Sequence, residues 1–146
     1  MKVLIDTSIW SLAFRRDKNL AKNEEKILLR ELQELISETR VIIIGPIRQE
    51  ILSGISSSKQ FDYLRKKLNS FENTPISSYD YELAAEFYNK CRKKGIQGSH
   101  IDFLICAVAY RNRMAIFTND KDFYHFTEVL ELNLHSPRDF KEKHDT

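Results

Sequence analysis

The sequence predicts a three-layer α/β/α sandwich whose central sheet is mostly parallel. Short apolar runs that suit buried strands alternate with longer segments in which apolar residues recur at helical spacing. Strands that alternate with helices form right-handed βαβ units, which build parallel sheets. The apolar runs also lack polar alternation, as is typical of strands in a sheet that helices cover on both faces.

The first half of the chain contains two predicted strands. Val3-Leu4-Ile5 is short and continuously apolar, and Val41–Ile44 is β-branched throughout. Gly45-Pro46 ends the second strand and predicts a helix that has proline at its first position. Helical spacing of apolar residues predicts further helices over residues 20–38, 47–51, 61–71 and 84–91.

The second half contains a helix between two predicted strands. Gly95 and Gly98 break the chain, and residues 101–108 then form one face of a largely apolar helix. Ala115–Thr118 is predicted to be the next strand and Val129–Leu132 the last one.

Length and composition predict one globular domain over residues 1–146, with a polar and loosely docked tail from about Pro137. The chain has 146 residues, of which 42% are hydrophobic and 30% charged, and this balance excludes disordered and fibrous classes. No apolar run is long enough for a membrane span or a secretory signal, and both cysteines lie in apolar helical patterns. We therefore expect a cytoplasmic protein without a membrane partner. The net charge of +2 neither requires nor excludes a polyanionic partner.

Acidic residues follow the predicted strands. Asp6 comes directly after the first strand, and Glu50 lies on the helix that follows the second. Asp102 opens the apolar helix, and Asp120 and Asp122 come just after the strand to which that helix leads. Because the carboxyl ends of parallel strands share one edge of a sheet, we expect these acids to converge there.

Converging carboxylates repel one another unless a cation lies among them. Ligands that are all oxygen atoms, with no cysteine or histidine, favour the hard ions Mg²⁺ and Mn²⁺. Carboxylate-held ions of this kind are typical of nucleases and phosphatases. The set of acids therefore predicts a metal-dependent enzyme that acts on phosphate esters.

Each acid also has a purely structural explanation. Asp6 suits the N-cap of the helix that follows it, and Glu50 suits a solvated helix face. Ser99 and Asp102 have the spacing of a capping box, and residues 119–122 suit a plain turn. The functional interpretation therefore depends on the acids as a set.

Four segments together resemble the motifs of PIN-domain nucleases, in the order in which that family has them. They are Val3-Leu4-Ile5-Asp6-Thr7-Ser8-Ile9-Trp10, Arg48-Gln49-Glu50-Ile51-Leu52, Asp102-Phe103-Leu104-Ile105-Cys106-Ala107-Val108-Ala109 and Thr118-Asn119-Asp120-Lys121-Asp122-Phe123. The compact length makes the chain look most like the VapC-type toxins of bacterial and archaeal toxin–antitoxin pairs.

This resemblance implies an endoribonuclease in which metal-activated water attacks a phosphodiester and leaves 5′-phosphate and 3′-hydroxyl ends. It implies that an acidic tetrad of Asp6, Glu50, Asp102 and Asp120 holds Mg²⁺ or Mn²⁺, with Asp122 as an auxiliary acid. Thr7 or Ser8, together with Thr118, would orient the acids through hydrogen bonds.

The resemblance also implies three partners: an RNA substrate, a second copy of the chain and a small antitoxin protein. Arg15 and Arg16 are predicted to grip RNA phosphates, because a short first helix keeps them near Asp6. Apolar contacts to the antitoxin or the second copy are predicted for Trp10, Leu12, Phe14 and the helix around Phe61.

Two other functions remain open from the sequence. A phosphatase or phosphotransfer domain would use a strand-end aspartate as its nucleophile. A dehalogenase-like site of that kind would have a second aspartate at position 8, where this chain has Ser8. A non-catalytic binding module with the same fold would be expected to have lost one of the four acids, and all four are present.

Overall fold

The computed structural model describes residues 1–15 and 22–139 of the chain. Its strands are β1 (Val3–Ile5), β2 (Val41–Ile43), β3 (Glu72–Asn73) and β4 (Ala115–Phe117). Its helices are α1 (Thr7–Ala13), α2 (Asn23–Ser37), α3 (Gly45–Leu52), α4 (Ser58–Leu68), α5 (Ser78–Lys93), α6 (His100–Arg111) and α7 (Asp122–Phe126).

The four strands form one sheet in the order β3-β2-β1-β4, and every pair is parallel. Val3, Leu4 and Ile5 are all 0% exposed, although successive side chains of a strand point to opposite faces. Helices therefore cover both faces of the sheet, which confirms the predicted α/β fold.

Pairing between β1 and β4 brings two distant parts of the chain together. Ile5 is in register with Phe117, and the N–H of Asp6 donates to the carbonyl oxygen of Phe117 at 2.9 Å. The residues that follow the two strands, Asp6 and Thr118, therefore lie side by side.

Helix α6 is the central helix of the core. Its residues from Phe103 to Ala109 are all buried, and it packs along α5 before the chain enters β4. In the described parts of the chain, no helix combines the length and the apolar character that a membrane crossing requires.

The predicted strand at Val129–Leu132 is wrong. The N–H groups of Val129 and Leu130 both donate to the carbonyl oxygen of Phe126 at the end of α7, so they are not available for a sheet. The chain reaches the sheet slightly later, where Leu134 forms an isolated parallel bridge with Ile116.

Smaller differences have local causes. Ile44 is the N-cap of α3 rather than the last residue of β2, so the helix begins at Gly45 and Pro46 is its second residue. The sequence did not predict β3, whose two residues are polar and exposed, or the short helix α7.

The described part of the tail is anchored rather than loosely docked. The guanidinium group of Arg138 donates to Glu31 at 2.9 Å and to both carboxylate oxygens of Glu38 at 2.7 and 2.8 Å. Glu31 is 0% exposed and also bonds to His135 at 2.6 Å. Ionic hydrogen bonds, part-buried at Glu31 and exposed at Glu38, therefore fix the chain against α2 as far as Arg138.

Candidate metal centre

An open cavity of about 470 Å³ lies beyond the carboxyl end of β1. Four acids from separate parts of the chain line it, as the strand-end rule predicts. The lining residues are Asp6, Thr7, Ser8, Ser11, Glu50, Ser99, Ile101, Asp102 and Asp120.

Asp102, Asp120 and Asp122 form the densest part of this acidic group. One carboxylate oxygen from each lies within 4.8 Å of the other two. Within the described residues, no ion pair joins any of these carboxylates to a lysine, arginine or histidine. Three oxygen ligands without a protein cation suit a hard divalent ion.

The side chain of Asp6 is positioned by hydroxyl groups rather than by helix capping. Asp6 occupies the N-cap position of α1, but its side chain makes no capping bond. Its Oδ2 atom instead accepts hydrogen bonds from Ser8 Oγ at 2.7 Å and Thr118 Oγ1 at 2.8 Å. The structural explanation of Asp6 as a helix cap therefore does not describe its side chain.

The same two hydroxyl groups fix the segment that follows β4. Ser8 Oγ accepts from the N–H of Asn119 at 2.9 Å, and Thr118 Oγ1 accepts from the N–H of Asp120 at 3.0 Å. Asp120 Oδ1 in turn accepts from the N–H of Asp122 at 3.0 Å. The predicted turn is present, and it forms part of a network that holds Asp120 beside Asp6.

Asp102 forms the capping box that the sequence predicted and also belongs to the close group of carboxylates. Its Oδ2 atom accepts from the N–H of Ser99 at 3.1 Å, and Ser99 Oγ accepts from the N–H of Asp102 at 3.0 Å. This is a complete capping box at the start of α6. The capping bonds fix the side chain in the orientation that brings it to Asp120 and Asp122.

The capping box of α5 shows what is unusual about Asp102. Asp80 Oδ2 accepts from the N–H of Ser77 at 2.8 Å in the same way, but its Oδ1 binds Arg111 at 2.7 Å. Burial pushes the pKa of Asp80 upward, yet these bonds outweigh burial and the pKa is lowered. Burial, assisted by the charges of Asp6 and Asp120, raises the pKa of Asp102. Among the described residues, no cation pairs with Asp102 as Arg111 pairs with Asp80.

Glu50 and Thr7 contribute less to this geometry than predicted. Glu50 is exposed and lines the cavity, but it lies outside the group of three close carboxylates. Thr7 Oγ1 is buried and has no hydrogen-bond partner among the described residues. The hydroxyl contacts to Asp6 come from Ser8 and Thr118.

Arg15 does not reach the acidic cavity. Its guanidinium group lies 3.4 Å from a carboxylate oxygen of Glu25, and its side chain lines a separate groove between α1, α2 and α4. Arg16 lies outside the described residues.

Ser11, which the sequence motifs did not single out, lines the cavity on the same helix as Ser8. Its spacing was the available signal, since residues three apart on a helix share a face.

The similarity of this chain to a known family extends over all residues of the site. The family profile of the PIN domain matches residues 3–129. The chain is similar to Ribonuclease VapC11 of Mycobacterium tuberculosis, with 31% identity over 138 residues, 93% of this chain and 99% of the relative. The fold is similar to that of FitAcB from Neisseria gonorrhoeae, with a TM-score of 0.71, 19% identity and coverage of 92% of this chain and 97% of the other. It is also similar to a toxin–antitoxin complex from Klebsiella pneumoniae, with a TM-score of 0.60, 21% identity and coverage of 84% and 90%.

Proposed function

The chain belongs to the PIN-domain family, and from this premise we propose that it is a metal-dependent endoribonuclease and the toxin of a toxin–antitoxin pair. The observation that carries the proposal is the approach of three carboxylates to within 4.8 Å of one another at the carboxyl edge of the sheet, with no ion pair to a cation among the described residues. The relative that is 31% identical over nearly the whole chain is named a ribonuclease.

In this proposal the tetrad of Asp6, Glu50, Asp102 and Asp120 holds Mg²⁺ or Mn²⁺, and Asp122 is an auxiliary acid beside it. When bound, such an ion offers positive charge to a phosphate oxygen and lowers the pKa of a coordinated water. The net reaction is hydrolysis of a phosphodiester, in which water supplies the oxygen of the new 5′-phosphate and the 3′-oxygen leaves as a hydroxyl.

The residues around Asp6 keep its carboxylate ready to bind a cation. Ser8 and Thr118 each use their one hydroxyl proton toward Asp6 Oδ2 and accept a backbone N–H on the oxygen. Both donated bonds hold the carboxylate of Asp6 in one orientation. The network therefore positions this carboxylate without a metal being present.

We place the antitoxin in the groove between α1, α2 and α4. This cavity of about 470 Å³ exposes Ile36 and Tyr63, and the charged residues that line it in the described part of the chain, Arg15 and Lys67, are both basic. Such a surface suits an amphipathic segment that carries acidic residues and disfavours a second copy, whose own basic groups would repel it.

A matched pair of variants on one helix tests this groove. We expect the antitoxin to be encoded by a short reading frame adjacent to the gene of this chain. Ile36→Glu should weaken binding of that protein, because it puts a charge in the apolar groove. Ile27→Glu changes an exposed isoleucine of the same helix outside the groove, so it should bind normally. Equal binding by both variants would contradict the placement.

We place the homodimer contact on the face between α3, α5 and α6. A cavity of about 610 Å³ there is lined by residues that include the exposed Tyr81 and Ile101, and none of the described residues that line it is aspartate, glutamate, lysine or arginine. Interface cores are depleted of charge, and an uncharged face can pair with itself without repulsion. Light scattering should show that Tyr81→Glu dissociates the dimer while Tyr124→Glu, at a similarly exposed tyrosine, does not.

We further propose that the protein acts in the cytoplasm. Both Cys91 and Cys106 are buried free thiols, as expected of a protein from a reducing compartment.

A cleavage assay tests the proposed function. The purified protein should cut RNA with Mg²⁺ or Mn²⁺, stop in excess chelator and resume when metal is restored. A phosphomonoester given in parallel should stay intact, whereas its hydrolysis would favour the phosphatase alternative. RNA that stays intact at every metal concentration would favour a binding module.

A further inference from the structure

We propose that Gly98 is a positioning residue for the acidic cluster of Asp102, Asp120 and Asp122. Its missing side chain makes room for the ring of Phe126, which ties the segment after β4 to the start of α6. The proposal rests on the proposed metal-binding role of these acids.

The space beside Gly98 is already filled by aromatic rings. A Cβ atom at this position would lie 2.5 Å from Cζ and 2.9 Å from Cε1 of Phe126, and 3.0 Å from Cε2 of Phe103. Carbon atoms that are not bonded to each other prefer about 3.5–4.0 Å, so any larger residue must displace a ring.

The ring of Phe126 has little freedom to move away. Phe126 is 0% exposed, and its ring centroid lies 4.8 Å from that of Phe103 and 5.2 Å from that of Phe123. We call these three residues the aromatic stack, although their rings are tilted or edge-on to one another rather than parallel. Its members are almost fully buried, so displacement of one ring must be passed to its neighbours.

The aromatic stack is joined directly to the acids. Phe103 follows Asp102 in sequence, and Phe123 follows Asp122. Asp122 and Phe126 are also four residues apart on the short helix α7, which places them on one face of it. A shift of the aromatic stack therefore changes the separation of Asp102 from Asp122.

The backbone at Gly98 gives no other reason for glycine. In the described parts of the chain the glycines with positive φ are Gly54 and Gly95, and Gly98 is not one of them. Alanine at position 98 therefore causes no backbone strain. The next residue, Ser99, forms the capping box that orients Asp102. Contact with the aromatic stack is thus the specific reason for a glycine at this position.

Calorimetric titration with Mn²⁺ tests the proposal without relying on enzyme activity. Gly98→Ala should weaken Mn²⁺ binding about tenfold or more, the scale typical of changes to residues that orient metal ligands. Gly45→Ala is the matched control, because a Cβ at Gly45 meets no atom within 4 Å and the backbone there is also not strained. It should bind Mn²⁺ as the unmodified protein does.

A double variant separates positioning from a general loss of packing. Phe126→Leu removes both atoms that lie closest to the new Cβ, so Gly98→Ala with Phe126→Leu should bind Mn²⁺ at least as tightly as Phe126→Leu alone. This comparison holds even if Gly98→Ala alone does not fold, because the double variant relieves the clash. Melting curves of all variants establish that the proteins compared are folded.

The outcomes distinguish this proposal from the proposed function. If the unmodified protein binds no Mn²⁺, the metal-binding role of the acids is wrong. If it binds Mn²⁺ and folded Gly98→Ala binds equally well, only the role of Gly98 is wrong. A double variant that binds more weakly than Phe126→Leu alone would also overturn the proposal, because alanine would then act through something other than the ring.

Discussion

The hydroxyl group of Thr118 donates a 2.8 Å hydrogen bond to the carboxylate of Asp6, although the two residues are 112 positions apart in the chain. The parallel pairing of β1 with β4 brings them together, since Ile5 and Phe117 are in register. This bond connects the first acid of the site with the segment that carries Asp120.

Replacing Thr118 by the isosteric valine should remove this connection. Asp6 loses one donor and the N–H of Asp120 loses its acceptor, so the free energy of unfolding should fall by about 1–3 kcal/mol. RNA cleavage should fall because Asp120 is no longer fixed beside Asp6. Urea unfolding and a cleavage assay measure the two effects.

Thr127→Val is the matched control for Thr118→Val. Thr127 is exposed, and among the described residues its hydroxyl group bonds only to the backbone oxygen of Tyr124. Cleavage should therefore be unchanged. Normal cleavage by Thr118→Val as well would argue against an orienting role for Thr118.

Asparagine substitutions in the two capping boxes should have opposite effects on the metal-free protein. Asp102→Asn keeps an acceptor for the N–H of Ser99 and removes a carboxyl group whose pKa is raised by burial. The metal-free variant should therefore be at least as stable as the metal-free unmodified protein. Asp80→Asn leaves Arg111 without its carboxylate and should destabilise the protein by about 1–3 kcal/mol.

Metal then separates the two variants again. Mg²⁺ should raise the melting temperature of Asp80→Asn as much as it raises that of the unmodified protein. It should raise the melting temperature of Asp102→Asn much less, because an ion stabilises only a folded state to which it binds. If Asp102→Asn were destabilised and yet fully active, Asp102 would be a helix cap and not a metal ligand.

Acid should weaken the tail contact of Arg138. Hydrogen bonds from Arg138 lower the pKa of Glu38 to about 2, and bonds from Arg138 and His135 outweigh burial and lower the pKa of Glu31. A carboxyl whose folded-state pKa is depressed stabilises the protein above its unfolded pKa and loses that effect as pH falls through the folded value. For Glu38 this loss should extend from about pH 4.5 to about pH 2.

Arg138→Met tests how much of this pH-dependent stability comes from the ionic contact of Arg138. At pH 7 the variant should be less stable than the unmodified protein, and the difference should shrink on acidification within that range. Denaturant unfolding at several pH values measures it, with Arg65→Met in an exposed ion pair as the control. A difference that is constant with pH would show that Arg138 acts through packing alone.

Arg15→Glu decides which partner this side chain contacts. Because Arg15 lines the groove of α1, α2 and α4 and not the acidic cavity, the variant should bind the protein from the adjacent reading frame more weakly. The salt dependence of its RNA binding should not change. A flatter salt dependence would instead support the phosphate contact that the sequence predicted, since each lost contact lowers the slope by about one.

The sequence was sufficient to predict the buried strands and the convergence of the acids. Continuous apolar runs such as Val3–Ile5 have few alternatives, and a parallel sheet brings the residues after its strands to one edge. It was insufficient at Val129–Leu132, where a largely apolar run interrupted by Glu131 closes the end of α7. Local pattern does not reveal which backbone groups a neighbouring helix end will use.

Contacts between residues far apart in the chain were the other feature that could not be predicted from the sequence. Glu31 lies in an ordinary amphipathic helix, and no local feature of the sequence shows that His135 and Arg138 will bind it. Gly98 likewise read as a simple chain break, because its constraint comes from Phe126 in another part of the chain. The two explanations of Asp102 are also geometrically compatible, since a carboxylate that caps α6 lies in the close group with Asp120 and Asp122.

The central claim is that the acidic cluster holds the divalent ion on which RNA cleavage depends. Its most direct test is a Mn²⁺ titration of RNA cleavage by the unmodified protein, by Asp120→Asn and by Asp62→Asn, an exposed aspartate in a surface ion pair. We predict the same Mn²⁺ dependence for the unmodified protein and Asp62→Asn, and for Asp120→Asn a need for far more Mn²⁺ or no cleavage at all. Cleavage by Asp120→Asn at the same rate and the same Mn²⁺ concentration as the unmodified protein would contradict the claim.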